Sequence, residues 1–281
     1  MTIWTRLNHI DKRIIYTILI VSLVIPLLNP LNIPISVSPN TQSTYDFIDN
    51  LAAGSKVLLA VDMAPNSAAE TYSSLVAVTE HLIRKECKIY IFSIWETGPM
   101  FGQRAVVDAH PELEYGVDVV NLGFLSGGET ATKYFSEDIL AAVPRDYLGN
   151  TTSALPMMEN VTTAKSFDMI VEFSSGSPGV REWIRQVITP MGIPFAAATN
   201  ANVAPEYAVY VQSGQLVGLL PGLRGSAEYE TLIERPAAAT SKMDAQSIAH
   251  LLIIVLIVIG NIGYLMEKRQ NTKDDTKAVS A

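Results

Sequence analysis

The chain has 281 residues, a formal net charge of −8 and 48% hydrophobic residues, with one cysteine and four histidines. The acidic balance excludes a nucleic-acid-binding protein, because such proteins need a basic face. A single cysteine, Cys87, excludes an intrachain disulfide, and the scarcity of histidine argues against a zinc site, so no metal site is predicted. The composition identifies no cofactor.

The first apolar segment, residues 14–35, follows three basic residues, Arg6, Lys12 and Arg13. About 20 apolar residues cross a bilayer, so this segment is predicted to be a transmembrane helix. Pro26 and Pro30 remove helical hydrogen bonds, which predicts either a kinked span or one that ends early. The alternative is a cleaved signal peptide, although the sequence at residues 36–38 is a poor match to a cleavage site.

The second apolar segment, residues 246–266, is predicted to be a transmembrane helix, with basic residues in the tail after it. Positive residues favour the cytoplasmic side, so both tails, residues 1–13 and 267–281, are predicted to be cytoplasmic. The two spans would anchor the chain in the cell membrane as a two-pass protein. Residues 36–245 would then form one extracytoplasmic domain.

The central segment, residues 36–245, carries 13 basic and 24 acidic residues, a net charge of −11. That charge excludes docking on anionic lipid head groups. Two sequons, at Asn150 and Asn160, would matter only in a host that glycosylates exported proteins. They lie in residues 144–165, an irregular stretch that is predicted to be a long loop.

Apolar runs alternate with helical patterns along this segment. Strands are predicted at residues 56–62, 88–95, 117–122, 167–173 and 193–199, and helices at residues 66–86, 100–109, 129–143 and 178–188. Capping signals support two of the helices: a capping box formed by Ser67 and Glu70, and Ser177 as the N-cap before Pro178. Strands that are apolar on both faces predict an α/β domain, with a three-layer, doubly wound and mostly parallel sheet.

Ligands of such folds bind where the strands end at the carboxyl edge of the sheet. The candidate ligand-binding residues at this edge are Asp62, Glu96, Glu129, Ser175, Ser177 and Asn200. Polar turns and helix caps occupy the same edge in every α/β protein, so a purely structural role is the alternative for each of them.

Catalytic interpretations of these residues have little support in the sequence. Asp62 and Glu96 could share a metal or act as acid and base, although Asp62 could equally cap a turn. A serine hydrolase would use Ser175 or Ser177 with His81 or His110, but the sequence lacks G-x-S-x-G. It also lacks G-x-G-x-x-G after the first strand and a P-loop, so a nucleotide site is not predicted.

The region before the second span contains four closely spaced glycines, Gly214, Gly218, Gly222 and Gly225. On a helix the first three would form one smooth stripe that lets another backbone approach closely. The stripe would serve either packing inside the domain or contact with another subunit near the membrane. Pro221 would kink such a helix.

Several short motifs occur together here: residues 34–39, 57–62, 95–99, 213–218 and 227–230. In this combination the sequence resembles an uncharacterised family of bacterial and archaeal membrane proteins. The resemblance covers residues from about 14 to 233 and implies an N-terminal anchor, an α/β domain and a C-terminal anchor. It supplies no catalytic residue.

The leading functional hypothesis is a membrane-anchored domain that binds a ligand or a partner within a membrane assembly. Its expected partners are the lipid bilayer and either other membrane protein subunits or a second copy of the chain. The alternatives are an extracytoplasmic hydrolase or metal-assisted enzyme at the carboxyl edge, and a sensor that signals through a partner.

Overall fold

The computed structural model of the protein describes residues 11–110 and 112–279. Residues 1–10 of the predicted N-terminal tail, and residues 280 and 281 of the C-terminal tail, lie outside the described part. The chain divides into two compact units, one formed by Pro34–Thr240 and the other by the residues before and after it. Each unit is described separately below.

The unit Pro34–Thr240 alternates strands with helices along most of its length. Its first half contains α2 (Pro39–Asp49), β1 (Lys56–Asp62), α3 (Ala68–Arg84), β2 (Lys88–Ser93), α4 (Gly98–Ala109), β3 (Val119–Phe124), α5 (Glu129–Glu137) and α6 (Ile139–Ala142). Its second half contains β4 (Met169–Ser174), α7 (Val180–Trp183), β5 (Phe195–Thr199), α8 (Ala204–Gln212), β6 (Gly218–Pro221) and α9 (Gly222–Leu232). This order of elements confirms the predicted α/β class.

The six strands form one sheet in the order β3-β2-β1-β4-β5-β6, and every pairing is parallel. This is the order 3-2-1-4-5-6 that is found in dinucleotide-binding α/β folds. The chain proceeds from β1 to one side of the sheet and from β4 to the other. The carboxyl ends of β1 and β4 therefore flank a topological switch point, where such folds bind ligands.

The core lies against both faces of the sheet, as the alternation of side chains along β1 illustrates. Leu58 and Ala60 belong to one buried cluster, whereas Val57, Leu59 and Val61 belong to another. The first cluster includes side chains of α5, α7 and α8, and the second includes side chains of α3, α4 and α9. A fully buried Leu or Phe side chain contributes about 1.5–3 kcal/mol, so both clusters stabilise the unit.

Several predicted local features differ from the structure. The capping box is wrong: the Ser67 side chain makes no cap hydrogen bond, and the Glu70 side chain accepts from the backbone N–H of Ala201 at 2.8 Å. Ser177 is not an N-cap either, because α7 begins only at Val180. The helix predicted at residues 129–143 is split at Asp138, whose extended backbone separates α5 from α6.

The helical glycine stripe is also wrong. Gly214 lies in a turn with a φ of +77°, Gly218 begins strand β6, and Gly222 and Gly225 lie in α9. Strand β6 had no sequence signal, because its four residues contain Gly218 and Pro221. A Cβ atom at residue 218 would lie 2.1 Å from the Thr44 hydroxyl, so only glycine fits against α2 there.

Residues 144–165 pack against the domain through three short 3₁₀ turns. Their apolar side chains Met157, Met158 and Val161 are buried in the core cluster that contains Leu58. This stretch is therefore an ordered part of the fold, even though its sequence is irregular.

The second unit contains two helices, α1 (Lys12–Leu28) and α10 (Ala238–Val279). The first three residues of α10 belong to the unit Pro34–Thr240. In the described part of the chain, one helical segment, Ala238–Met266, is long and apolar enough to cross a membrane, and an 18-residue stretch of it has a mean hydropathy of 2.4. Helix α1 has 17 residues, about 25 Å, which is less than the roughly 30 Å of a bilayer core. The predicted helix over residues 14–35 therefore ends early, where Asn29 becomes extended before Pro30.

Candidate functional site

The carboxyl edge at the switch point brings polar side chains of three adjacent strands to one face of the sheet. Asp62 of β1 is in register with Ser174 of β4, which is in register with Thr199 of β5. Glu172 lies two residues before Ser174, on the same face, and Asn200 directly follows Thr199. We call Asp62, Glu172, Thr199 and Asn200 the edge cluster.

Asp62 is fully buried and holds two neighbouring segments together. Its Oδ1 accepts from the backbone N–H of Ile94 at 2.8 Å, and its Oδ2 accepts from the indole N–H of Trp183 at 2.7 Å. Burial nevertheless raises the pKa of Asp62 to about 6, against the lowering effect of these hydrogen bonds. Asp62 therefore titrates close to neutral pH.

Glu172 is the most unusual residue of the edge cluster. It lies in the middle of β4 with no solvent exposure, between Ala60 of β1 and Ala197 of β5. Neither of its carboxyl oxygens has a hydrogen-bond partner of normal geometry among the described residues. Burial, reinforced by the charge of Asp62, raises the pKa of Glu172 well above its usual value, although the nearby Ser174 hydroxyl lowers it in part, so burial favours the protonated form of the side chain.

Two further buried polar atoms of the edge cluster share this lack of partners. They are the Thr199 hydroxyl and the side-chain amide oxygen of Asn200, and neither has a hydrogen-bond partner within the described part of the chain. Buried polar groups without partners are rare, and each costs about 1–3 kcal/mol. Their concentration at the ends of β4 and β5 marks the switch point as a candidate ligand site.

Residues 175–179, which we call the covering loop, lie over Glu172. A Cβ atom at residue 179 would lie 3.0 Å from the Glu172 carboxyl and 2.3 Å from the Ser174 hydroxyl, so glycine is required at this position. The indole of Trp95 donates to the Pro178 carbonyl oxygen at 2.8 Å and fastens the loop to the segment after β2. The loop therefore packs directly against the Glu172 carboxyl through Gly179.

Helix α7, which follows the covering loop, is irregular. Its α-helical part, Val180–Trp183, passes into a π-helical segment, Ile184–Ile188. Segments of π-helix often occur at functional sites. Trp183, whose indole binds Asp62, is the last residue before this segment. The irregularity therefore lies directly beside the edge cluster.

The predicted edge residues have different environments. Ser175 accepts from the backbone N–H of Ala64 at 2.6 Å and contacts the Ser67 hydroxyl, so it ties the covering loop to the segment after β1. Ser177 is exposed, with its hydroxyl 3.4 Å from the Glu182 carboxylate. Asp62 and Asn200 belong to the edge cluster, whereas these two serines lie in the loop above it.

The other two predicted edge residues, Glu96 and Glu129, point elsewhere. Glu129 forms a two-pronged ion pair with Arg185, with N–O distances of 2.6 and 2.8 Å. Glu96 is exposed, whereas Asp62 is fully buried. Among the described residues no group of three or more His, Cys, Asp or Glu side chains could hold a metal ion.

The histidines of the domain lie apart from the serines. His81 is buried and hydrogen-bonded to the Tyr229 hydroxyl at 2.8 Å and to the Asp49 carboxylate at 3.3 Å. Burial lowers the pKa of His81, and His110 is exposed at the end of α4. Neither histidine is hydrogen-bonded to Ser175 or Ser177, so the geometry provides no base for a serine nucleophile.

A second set of buried carboxylates lies on α9, and we call Glu228 and Glu230 the α9 cluster. Glu228 accepts from the Ser38 backbone N–H at 3.1 Å, from the Ser38 and Thr41 hydroxyls at 2.7 Å each, and from Arg224 at 2.8 Å. Glu230 accepts from the backbone N–H groups of Ala237, Ala239 and Thr240 at 2.8–2.9 Å. These carboxylates fix the start of α2 and the start of α10.

Two residues of the site, Glu172 and Trp183, are not among the residues that the sequence predicts at the carboxyl edge, whereas Thr199 lies at the end of a predicted strand next to Asn200. A signal for Glu172 is present: it is one glutamate inside an otherwise apolar strand, Met169–Ser174. Such a residue has to be paired, protonated or bound to a ligand, because burying an isolated charge is costly. Trp183 has no comparable signal.

Comparisons with known proteins add no functional assignment to the geometry of the site. No protein-family model and no curated protein matches this sequence.

Proposed function

We propose that the protein is a membrane-anchored, three-layer α/β domain that binds a small molecule at the switch point, as the binding subunit of a membrane assembly. The observation that carries the binding part is Glu172, a fully buried glutamate at the edge where such folds bind ligands, whose carboxyl oxygens have no hydrogen-bond partner of normal geometry among the described residues. A structural carboxylate would have partners, as Glu228 has. Glu172 is placed where a ligand can supply them.

The anchoring part of the proposal rests on the apolar segment of α10, Ala238–Met266, whose most apolar 18-residue stretch is only 6% buried. The proposed second anchor is the apolar segment that contains α1, as a half-span or kinked span. Basic residues outside both segments favour cytoplasmic termini, so the α/β domain would face the opposite side of the membrane.

Cysteine labelling tests this topology cleanly. The native thiol, Cys87, is 5% exposed, and burial raises its pKa to about 11, so it reacts slowly. A Leu148→Cys variant places a thiol at a position that is 56% exposed in the domain. It should react with a membrane-impermeant maleimide in intact cells, whereas Asn271→Cys should react only after lysis. The reverse pattern would overturn the proposed orientation.

Ligand binding is tested by the thermal unfolding of the full-length protein in mild detergent. A ligand that binds only the folded state raises the unfolding midpoint. We expect the low-molecular-mass filtrate of the host's cells to raise the midpoint of the wild type and of Glu129→Gln, a matched control in an exposed ion pair. Glu172→Gln should not respond. An equal response of all three proteins, or of none, contradicts the proposed binding site.

Membership of a membrane assembly is a separate part of the proposal. A ligand bound to the α/β domain would act through another membrane protein or a second copy of the chain. Purification in mild detergent, followed by mass measurement of the intact complex, tests this. A monomer without any other chain would contradict the assembly and leave the ligand site standing.

A further inference from the structure

The chemistry of the edge cluster indicates what kind of ligand it takes, an inference that rests on the proposed binding function. The side-chain atoms without partners can all act as acceptors: both Glu172 oxygens when the carboxyl is ionised, the side-chain amide oxygen of Asn200, and the Thr199 hydroxyl oxygen, which can also donate. The other titratable groups that face Glu172 are Asp62 of β1, Glu182 of α7 and Tyr207 of α8. None of these supplies a positive charge.

The arginines of α7 are engaged with other partners. Arg181 pairs with Glu206, and Arg185 pairs with Glu129 and lies 3.6 Å from Glu182. Both arginine side chains are at least half exposed. The edge cluster is therefore rich in acceptors and lacks a cation of its own, which disfavours phosphates and other anions as ligands.

We propose that the edge cluster binds the primary ammonium group of a small organic cation. An ammonium group carries three donors around a compact charge, and Glu172, Thr199 and Asn200 provide acceptors that lack donors. A metal ion fits less well, because no group of three or more acidic, histidine or cysteine side chains among the described residues could hold one. Glu172 would supply the counter-charge and the other two residues would orient the ammonium.

The covering loop has to move for such a ligand to reach Glu172. The loop is held by the hydrogen bond from the Trp95 indole to the Pro178 carbonyl oxygen and by the Ser175 contacts with Ala64 and Ser67. Around Gly176, which has a φ of +155°, a Cβ atom would meet nothing within 4 Å. The centre of the loop thus has open space around it. Opening of the loop would break only a small number of hydrogen bonds.

Binding of an ammonium group is also coupled to the release of protons. Burial raises the pKa of Glu172 in the free protein, whereas pairing with the ammonium group would lower it, so binding sends the proton of any protonated Glu172 to solvent. Binding should therefore release protons, up to one per ligand. Between the pKa of Glu172 in the complex and that in the free protein, the affinity should rise about tenfold for each pH unit.

The test is calorimetric and thermal titration of the full-length protein in detergent with methylamine, butylamine and 1,4-diaminobutane as hydrochlorides. Sodium butyrate and 1-butanol serve as matched probes without the ammonium group. We expect at least one amine to bind and to raise the unfolding midpoint, with proton release measured in two buffers of different ionisation enthalpy. The matched probes should have no effect.

Variants decide which residues carry the binding. Glu172→Gln and Thr199→Val change few atoms, and each should weaken amine binding about tenfold or more, because each removes a partner of a charged donor. The exposed Glu129→Gln should bind as the wild type does. Amine binding that all three variants keep would place the ligand elsewhere and overturn the inference.

The outcomes also separate this inference from the proposed function. If the cell filtrate stabilises the protein through Glu172 but none of the amines does, the site is real and the inferred ligand class is wrong. If neither the filtrate nor the amines have an effect, both are overturned, and Glu172 is a buried acid satisfied by ordered water.

Discussion

Two glutamates, Glu172 in β4 and Glu228 in α9, are equally inaccessible to solvent, yet their environments are opposite. Glu228 receives four donors, from Ser38, Thr41 and Arg224, whereas Glu172 receives none of normal geometry. Burial raises the pKa of both, but at Glu228 the hydrogen bonds outweigh burial and its pKa is lowered. Burial alone therefore does not distinguish a structural carboxylate from a functional one, whereas the supply of donors does.

Asp62 lies between these two cases. It accepts from Ile94 and Trp183, yet its pKa is raised to about 6 because burial outweighs those bonds. Arg224, which binds Glu228, is 59% exposed, so the α9 cluster lies closer to solvent than the edge cluster does. Depth and donor supply together determine which buried acids stay charged.

The largest expected effect is that of removing the donor-rich carboxylate. Glu228→Ala leaves the Ser38 and Thr41 donors unsatisfied and should lower the free energy of unfolding by about 3–5 kcal/mol. Denaturant unfolding of the full-length protein in detergent measures this. Arg224→Ala, which removes an exposed partner of Glu228, is the control and should cost much less. Equal losses would show that the charge pair, rather than the network around α2, stabilises this region.

The next largest effect concerns the support of Asp62. Trp183→Phe keeps an aromatic ring but removes the indole N–H that lies 2.7 Å from Oδ2. A lost hydrogen bond to a carboxylate should lower the free energy of unfolding by about 2–3 kcal/mol, and the pKa of Asp62 should rise further above 6. Carboxyl ¹³C NMR follows that titration. A pKa that stays near 6 would mean that Trp183 does not stabilise the charged form.

A change of the opposite sign is expected at Glu172. Glu172→Met replaces a buried acid without partners by an apolar side chain of similar length, and should raise the free energy of unfolding by about 1–2 kcal/mol. The same denaturant titration measures it, in the absence of added ligand. A loss of stability as large as that of Glu228→Ala would show that Glu172 is structural, and the comparison between the two clusters would fail.

The pH dependence of stability also distinguishes Glu172 from Glu228. An acid whose folded pKa is raised binds more protons in the folded state, so its contribution to stability falls as pH rises above its unfolded pKa, until the folded pKa is passed. For Glu172 this loss begins near its ordinary pKa of 4.5 and continues above it. The stability advantage of Glu172→Met over the wild type should therefore widen as the pH rises above about 5. An advantage that narrows with rising pH would show that the wild-type residue is ionised in the folded protein.

The smallest effect is expected at the exposed Glu129. Its ion pair with Arg185 has good geometry, but the Glu129 side chain is 38% exposed and the pair is screened by solvent. Glu129→Gln should leave the unfolding midpoint within experimental scatter, which supports its use as the control variant. A clear destabilisation would mean that α5 depends on this ion pair.

The sequence predicts the buried strands better than the hydrogen bonds of the polar side chains. Strand β1 was predicted with its observed bounds, Lys56–Asp62, because an apolar run between polar flanks has few alternatives. Strand β6 was missed, because it is short and its glycine and proline are determined by packing against α2 and by the turn that follows. Ser67 resembled a cap in sequence, but the tertiary contact with Ser175 outweighs the local preference.

The edge cluster was only partly predictable for a related reason. Asp62 and Asn200 follow from the rule that ligands meet the carboxyl ends of parallel strands. Glu172 lies before the end of β4, and its importance depends on which donors are absent around it. A sequence does not give that information, because the relevant neighbours, Ala60 and Ala197, come from distant strands.

The parallel pairing of β1 with β4 has a consequence for how the protein folds. The hydrogen bond from the Lys56 backbone to the Asp168 carboxylate joins residues 112 positions apart, so this pairing closes a long loop. Contacts between distant residues form slowly. Strands β1, β2 and β3 are all synthesised before β4. Until β4 emerges, the edge of β1 that will pair with it has no hydrogen-bonding partner strand. Residues of both halves build the edge cluster, so it can form only after β4 and β5 have joined β1, and binding of the proposed ligand would report that step.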